Sequence, residues 1–416
     1  MKLFYDTGTP QTPLYLRLDA RSYWDDVQDA LDLPKKEMAA VALAFYDNGK
    51  AGHWTSYSRR HDQGGAGACN GLMTRRNVAG TADFLDDMGL VENQAQCPGG
   101  RAWRSALRPL PGMLDLLDPI FPDLGRVPLM MPDRVVIIRG KDKAELKPSN
   151  KAAFERLERP VWAINEMLMG TDIRNGKGLD IRCPVRRIFN GDTQHGGRLF
   201  TMGGISYQNM PREERHDITI NGEPTVELDF KAIHPHILYS QRGLPVPADC
   251  YEVKNKDGKL WPRDLVKLAL LVLINAENLK DVIGVLANSD GETIVRDEDG
   301  GIIDITTERK LMKQITGADQ KKAIAFAHAL VQDVKEYHAP IADAFHSNAG
   351  VKLMNKDSEI AINVMRIMGA IGEPVLSVHD SFLVRKSMQD KLAEIMEQAA
   401  EMAGVHGIKI EAKTRH

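Results

Sequence analysis

Apolar positions along this chain recur in two patterns. Spacings of three and four residues, the period of a helix with one buried face, run through 74–88, 151–169, 263–276 and 307–348. Short apolar runs bounded by turn residues predict strands. TVELDFKAIHPHILY (225–239) is such a run: it ends on Asp229 and passes into a helix-like segment. PVLSVHDSFLVR (374–385) predicts two strands joined by a tight turn carrying His379 and Asp380. The stretch 293–306 predicts a hairpin turning at Asp299-Gly300-Gly301, and IKIEA (408–412) a short closing strand. Within 151–169, Pro160 predicts a break in the helix.

The first ~130 residues form a separate pattern. A helix is expected after Thr74 as N-cap, with Val78, Phe84, Leu85 and Met88 on its apolar side and a stop at Gly89 before an extended segment. A glycine-containing hairpin at 98–110 follows, with Arg101, Arg104 and Arg108 around Trp103. Helix, strand and basic wing in this order resemble a winged helix-turn-helix, whose usual partner is duplex DNA. A helix packed on a hairpin with a solvated basic face fits the same residues. The proline-rich stretch 112–135 reads as a connection into the next body.

Composition narrows the picture only a little. With 43% hydrophobic and 27% charged residues, the chain is ordinary for a globular protein of two or three domains. The net charge of −3 announces no nucleic-acid binder, although acidic clusters can mask a local basic groove. One local excess of cations exists: Arg174, Lys177, Arg182, Arg186, Arg187 and Arg198, opposed by Asp180 and Asp192. Phosphate tracking requires such an excess, and a solvated loop also produces one. Four scattered cysteines without a CxxC pair argue against a disulfide framework or zinc site and fit a reducing cytoplasm. The N-terminus lacks a signal-peptide core, and the run at 265–276 is too short to span a bilayer.

Candidate chemistry gathers in the second half. Asp229 and Asp380 are both carried by strands, as carboxylates positioned for a two-metal nucleotidyl transfer must be. The Phe230 carbonyl could supply a further oxygen ligand, which hard cations prefer. His234, five residues after Asp229, is expected on the first turn of the next helix. Arg263 and Lys267, four apart, share one helical face suited to a triphosphate; Asn275 lies two turns on and about 80° around. A glycine-rich loop at 195–211 places Arg198 directly after Gly196 and Gly197. Each feature has an ordinary counterpart taken alone: a helix N-cap, snorkelling cations, a turn histidine.

Their order and spacing together resemble the family A DNA polymerases and the single-subunit phage and mitochondrial RNA polymerases, over about residues 190–390. Gly197-Arg198-Leu199 followed by Gln208-Asn209-Met210-Pro211 is similar to the GRL…QNIP segment. Asp229 matches the first aspartate of motif A, Arg263 and Lys267 the helix of motif B, and Val378-His379-Asp380-Ser381-Phe382 motif C in the HDSF form typical of the RNA polymerases. Two departures stand out. His234 occupies the position of the glutamate that blocks the ribose 2′-hydroxyl, and Asn275-Ala276 replaces the Tyr-Gly that closes motif B.

The resemblance implies an α+β right-hand polymerase, with an antiparallel palm sheet, helical fingers and a reduced thumb, following the winged-helix-like module read at 1–130. It divides 131–416 into a thumb-like connector (131–190), palm (191–245 and 351–416) and fingers (246–350). It further implies two Mg²⁺ ions, with Mn²⁺ as substitute, on Asp229, Asp380 and the Phe230 carbonyl. Arg263, Lys267, His234, Asn275 and Arg198 would meet the nucleoside triphosphate, with Lys267 the proton donor to pyrophosphate and His379 beside the primer end. Arg198, Gln208, Asn209, Arg186 and Arg187 would meet the DNA template and primer. The expected function is a DNA-directed DNA polymerase without proofreading; an RNA polymerase or primase, or a non-catalytic DNA-binding regulator, are the alternatives.

Overall fold

The computed structural model describes residues 11–413 apart from 15, 58, 60–74, 95–104, 123–126, 128, 130, 133, 141–143, 147–149, 203–205, 289–294, 297–301 and 304. The chain is a mixed α/β protein whose sheets are mainly antiparallel. Two hydrophobic cores organise it. One runs from Leu16 to Val127; the other gathers residues from Leu129 to Ile408 together with Ala51.

In the first core, helices Trp24–Leu31, Met38–Lys50 and Arg75–Asp87 cover a sheet. Its order is Gln11–Pro13, Trp54–Tyr57, Ser105–Pro109, Val91–Gln94, the first pair parallel and the others antiparallel. The helix Met38–Lys50 is buried on nearly every side, as its run of alanines permits. Arg17 is fully enclosed there, paired with Asp47 and donating to the Val127 carbonyl at 3.3 Å. Of the expected basic wing, Arg101, Trp103 and Arg104 lie outside the described residues. Arg108 pairs with Glu92 and stacks over Trp54. The stretch read as a bare connection after 111 starts instead with a helix, Pro111–Leu117, because proline at the first turn presets a helical φ.

The second core is built on a six-stranded sheet. Its order is Leu376–Val378, Ser381–Arg385, Glu223–Phe230, Thr219–Ile220, Ile173–Arg174, with Ile410–Ala412 pairing the far half of Glu223–Phe230. Every pairing in it is antiparallel. Phe230 and Phe382 meet edge to face at 6.1 Å on its buried side. The helix Gln389–Met402 seals that side with Leu392, Ile395, Met396, Ala399 and Ala400, spaced three and four apart. The long helix Gly350–Ala370 packs on it and on the strand Gly196–Thr201 of a further sheet. Four helices, Arg263–Asn275, Leu279–Ala287, Thr306–Thr316 and Gln320–Tyr337, pack on one another, and Arg263–Asn275 also meets Gly350–Ala370. No described helix is long and apolar enough to cross a membrane.

Two local expectations change. The helix Lys151–Met169 is continuous through Pro160. It is capped by Asn150, whose side chain accepts from the Ala153 N–H at 3.0 Å, and Val161, Ile164 and Leu168 anchor the far half in the core. The packing outweighs the one hydrogen bond that proline removes. The segment after His195 is a strand, Gly196–Thr201, and not a loop. Its glycines serve close packing: a Cβ on Gly197, at φ +94°, would lie 2.6 Å from the Phe189 ring. The expected hairpin near 300 is present as the pair Val295–Arg296 and Ile302–Ile303, its turn lying outside the described residues. Replacing Gly197 by alanine is therefore expected to destabilise the protein by about 1–3 kcal/mol, read as a lower denaturation midpoint at unchanged m-value.

Candidate active site

Strand geometry puts two carboxylates on one face of Glu223–Phe230. Glu227 and Asp229 are two residues apart, so their side chains point the same way. Asp229 pairs in register with Ser381 on one side and Glu411 on the other. The turn between the neighbouring strands holds His379 and Asp380, and the Phe230 N–H reaches the Asp380 carbonyl at 3.4 Å. A two-residue connection of this kind needs positive φ, and His379 adopts +57° despite its side chain. Ala232, which begins the helix Ile233–Gln241, also sits in the left-handed region, at +53°.

Glu227 is 2% exposed and fully engaged. It accepts from Arg215 Nε at 3.1 Å, Ser381 Oγ at 2.6 Å and Lys413 Nζ at 3.1 Å. Burial alone would raise its pKa; these donors, with the charges of Lys413 and Arg215, hold it down at about 2. Asp229 is the opposite case. Its Oδ2 lies 3.3 Å from Lys413 Nζ, while Oδ1 is buried without a hydrogen-bond partner. Burial and the nearby Asp380 push its pKa well above the usual carboxylate range, against the pull of Lys413.

A cavity of ≈ 630 Å³ opens on this face. Asp229, Asp380, His379 and Glu411 line it together with Arg198, His234, Arg263, Lys267 and Tyr251. Arg263 and Lys267 come from one stripe of the helix Arg263–Asn275, whose other positions are almost all buried. Both cations lie over the Tyr251 ring, at 5.0 and 5.6 Å from its centroid. Arg263 also donates to Asp249 Oδ2 at 2.6 Å. The ring of His379 meets Phe200 edge to face at 6.4 Å.

Arg198 and His234 converge on one buried residue that the motifs do not point to. Asp357, on the helix Gly350–Ala370, accepts from Arg198 NH2 at 2.6 Å and lies 3.0 Å from His234 Nε2. Burial raises its pKa, but the Arg198 charge and the His234 and Arg198 hydrogen bonds outweigh this and lower it. Arg198 is thus half of a buried ion pair at the cavity wall. Glu227, Tyr251, Lys413 and Glu411 are equally unmarked by the motifs.

Five expected site residues stand elsewhere. Arg187 is 5% exposed, donates to the Gly197 carbonyl and Ser358 Oγ, and stacks on Phe189, so it has no phosphate-facing surface. Burial drops its pKa to about 10. Gln208 is bound inward to the Leu199 and Ser377 carbonyls and the Thr201 N–H. Asn275 is not in the cavity wall: its amide turns back to the Leu271 carbonyl at the helix end. Asn209 is exposed, and Arg186 half-buried beside Arg187, on surfaces outside the cavity.

Among the described residues, no three His, Cys, Asp or Glu side chains are grouped to hold one metal ion. A hard cation needing few protein ligands is still compatible with the site. Asp229, whose Oδ1 has no hydrogen-bond partner, and the nearby Asp380 offer carboxylate oxygens on a cavity wall that Phe230 also lines, and Mg²⁺ characteristically uses one or two carboxylates and completes its shell with water and phosphate.

Removing Asp357 leaves Arg198 and His234 facing a buried gap, so Asp357→Ala should cost about 3–5 kcal/mol in denaturant unfolding. Because the native pKa of Asp357 is depressed, its contribution is present above the unfolded value of about 3.9 and fades as pH falls below it. Unfolding followed from pH 6 to pH 2 should show Asp357→Asn losing less stability than the wild type.

No protein-family model matches this chain, and no curated protein sequence matches it. Solved structures do. One is the POL domain of Pol1 from M. smegmatis in complex with DNA primer-template and dNTP, at 14% identity and a TM-score of 0.28. The match covers 63% of this chain and 51% of that one, so this chain overlaps about half the length of the polymerase domain.

Proposed function

We propose that the protein is a template-directed nucleotidyltransferase, a DNA-directed DNA polymerase with a compact right-hand architecture. One observation carries this: Asp229, near the end of a strand, and Asp380, in the turn that leads into the neighbouring antiparallel strand, line the same cavity as Arg263 and Lys267 of one helix. Carboxylates on one wall and cations on the other suit a substrate with a polyphosphate at one end and a hydroxyl nucleophile at the other.

Asp229, Asp380 and the Phe230 carbonyl would hold divalent cations. When bound, these would lower the pKa of the attacking 3′-hydroxyl and neutralise charge on the phosphates. Arg263 and Lys267 bind the triphosphate, Arg263 presenting the part of its guanidinium that Asp249 leaves free. The 3′-hydroxyl gives up its proton to solvent, its oxygen forms a bond to the α-phosphorus as the bond to pyrophosphate breaks, and Lys267 donates a proton to the leaving oxygen. Tyr251 holds both cations on one side of the cavity through its ring face. His379, at the strained turn, orients the primer terminus beside Asp380. Arg198, pinned by Asp357, lines the wall nearest His234.

His234 reads the sugar. Its ring is fixed by Asp357 and is bulky enough to exclude a 2′-hydroxyl. That same fixed imidazole could instead bond the hydroxyl, and this, with the HDSF turn, favours a second reading as an RNA polymerase or primase. The N-terminal module, with its helix Arg75–Asp87 beside the pair Val91–Gln94 and Ser105–Pro109, would meet the template duplex in the manner of a winged helix.

Incubation of the pure protein with Mg²⁺, a primed single-stranded template and dNTPs should extend the primer, and Asp380→Ala should abolish extension. Product from rNTPs without a primer would instead establish the RNA reading, and no incorporation from either would refute both. Lys267→Ala should retain folding but lower the incorporation rate by about 10²–10³-fold, the effect of losing one preorganised charge at a departing group.

A further inference from the structure

Lys413 has a place in this site that its position after a short edge strand does not suggest. The strand Ile410–Ala412 pairs with Leu228, Asp229 and Phe230, and the Lys413 N–H closes the ladder on the Glu227 carbonyl at 2.8 Å. Backbone pairing thus fixes the root of this side chain beside the two carboxylates. Its ammonium lies between them, 3.1 Å from Glu227 Oε1 and 3.3 Å from Asp229 Oδ2.

The two carboxylates do not depend on it equally. Glu227 has Arg215 and Ser381 as well, and remains compensated without the lysine. Asp229 has the Lys413 ammonium beside Oδ2, and its Oδ1 is buried without a hydrogen-bond partner. A partly buried carboxylate with one buried, unpartnered oxygen beside Asp380 is costly to keep ionised, and a neighbouring cation offsets that cost. Lysine suits this role because a compact charge on a flexible stem can withdraw from Asp229 and keep its bond to Glu227. A planar guanidinium fork would do so less readily.

We infer that Lys413 is a resident counter-charge for Asp229, one that stabilises the carboxylate while no divalent ion is bound and competes with that ion for it. This deepens the polymerase reading and rests on it. The consequence is specific. The protein alone binds a divalent ion weakly, and tight loading requires the triphosphate to bring further oxygen ligands and negative charge. Lys413 is a positioning residue in this scheme; it acts on substrate through Asp229.

The test is a titration of Mn²⁺ into the full chain without nucleotide or DNA, with free Mn²⁺ read by electron paramagnetic resonance. Removal of a unit charge about 3 Å from the ligand should tighten binding by about tenfold or more in Lys413→Met. Lys413→Gln, which keeps an N–H for Glu227, should shift it the same way and covers the case in which the methionine variant does not fold. Lys413→Arg, which keeps the charge and withdraws less readily, should bind no more tightly than the wild type. Unchanged or weaker binding in both neutral variants, with Asp229→Asn abolishing it in each, would overturn the role given to Lys413 and leave the ion site standing. If Asp229→Asn instead leaves Mn²⁺ binding unaltered in every background, the ion is not held there, and the polymerase reading fails along with the inference.

Discussion

The central strand buries a charge in order to present another. Glu227 sits two residues before Asp229 on the same face, and its three donors come from three separate parts of the chain: Arg215, Ser381 and Lys413. An ionised carboxylate buried this deeply persists only when its lone pairs are filled. Satisfying Glu227 therefore locks together the strand that carries Asp229, the hairpin that carries Asp380 and the edge strand that carries Glu411. The cavity geometry follows from this lock. The positions of Asp229 and Asp380 are set by register, and the strained turn at His379 persists because the ladder on both sides over-determines it.

The opposite wall obeys a different rule. The helix Arg263–Asn275 is apolar around most of its circumference and is held by its core contacts. Its two cations share a single stripe, and Tyr251 supplies a face for both. Between the walls, the Asp357 network fixes Arg198 and His234. Each wall is thus set by groups that need not touch a substrate: Glu227 beneath the acids, Tyr251 beneath the cations, Asp357 beneath the pair that closes the side.

Strand ends and helical period make Asp229, Asp380, Arg263 and Lys267 legible in the sequence, because each depends on local geometry that spacing encodes. Arg187 reads as part of a basic run, and that reading fails. In the strand Val185–Asn190 it shares the inward phase of Val185 and Phe189, whereas Arg186 takes the other phase with Ile188, so polarity along the segment does not mark which arginine turns inward. Asn275 falls outside the site for a reason written locally: its angle around the helix takes it off the Arg263–Lys267 stripe. Asp357 leaves a fainter trace, a lone acid in phase with Leu353, Ile360, Ala361 and Val364 on a buried helical face. Tyr251 and Lys413 leave none. Each reaches the site by tertiary placement of a loop or an edge strand, and no periodicity within a short segment records where such a segment lands.

Polar contacts and one alanine join the two cores among the described residues. Lys177 donates to the Ala51 carbonyl, His53 Nε2 lies 3.3 Å from Glu214 Oε2, and Ala51 packs into the larger core. Cooperativity in folding comes from shared buried apolar area, and contacts of this kind contribute little of it. Each core would then lose its order at its own temperature, and the calorimetric enthalpy of the whole chain would exceed the van't Hoff enthalpy of any one transition.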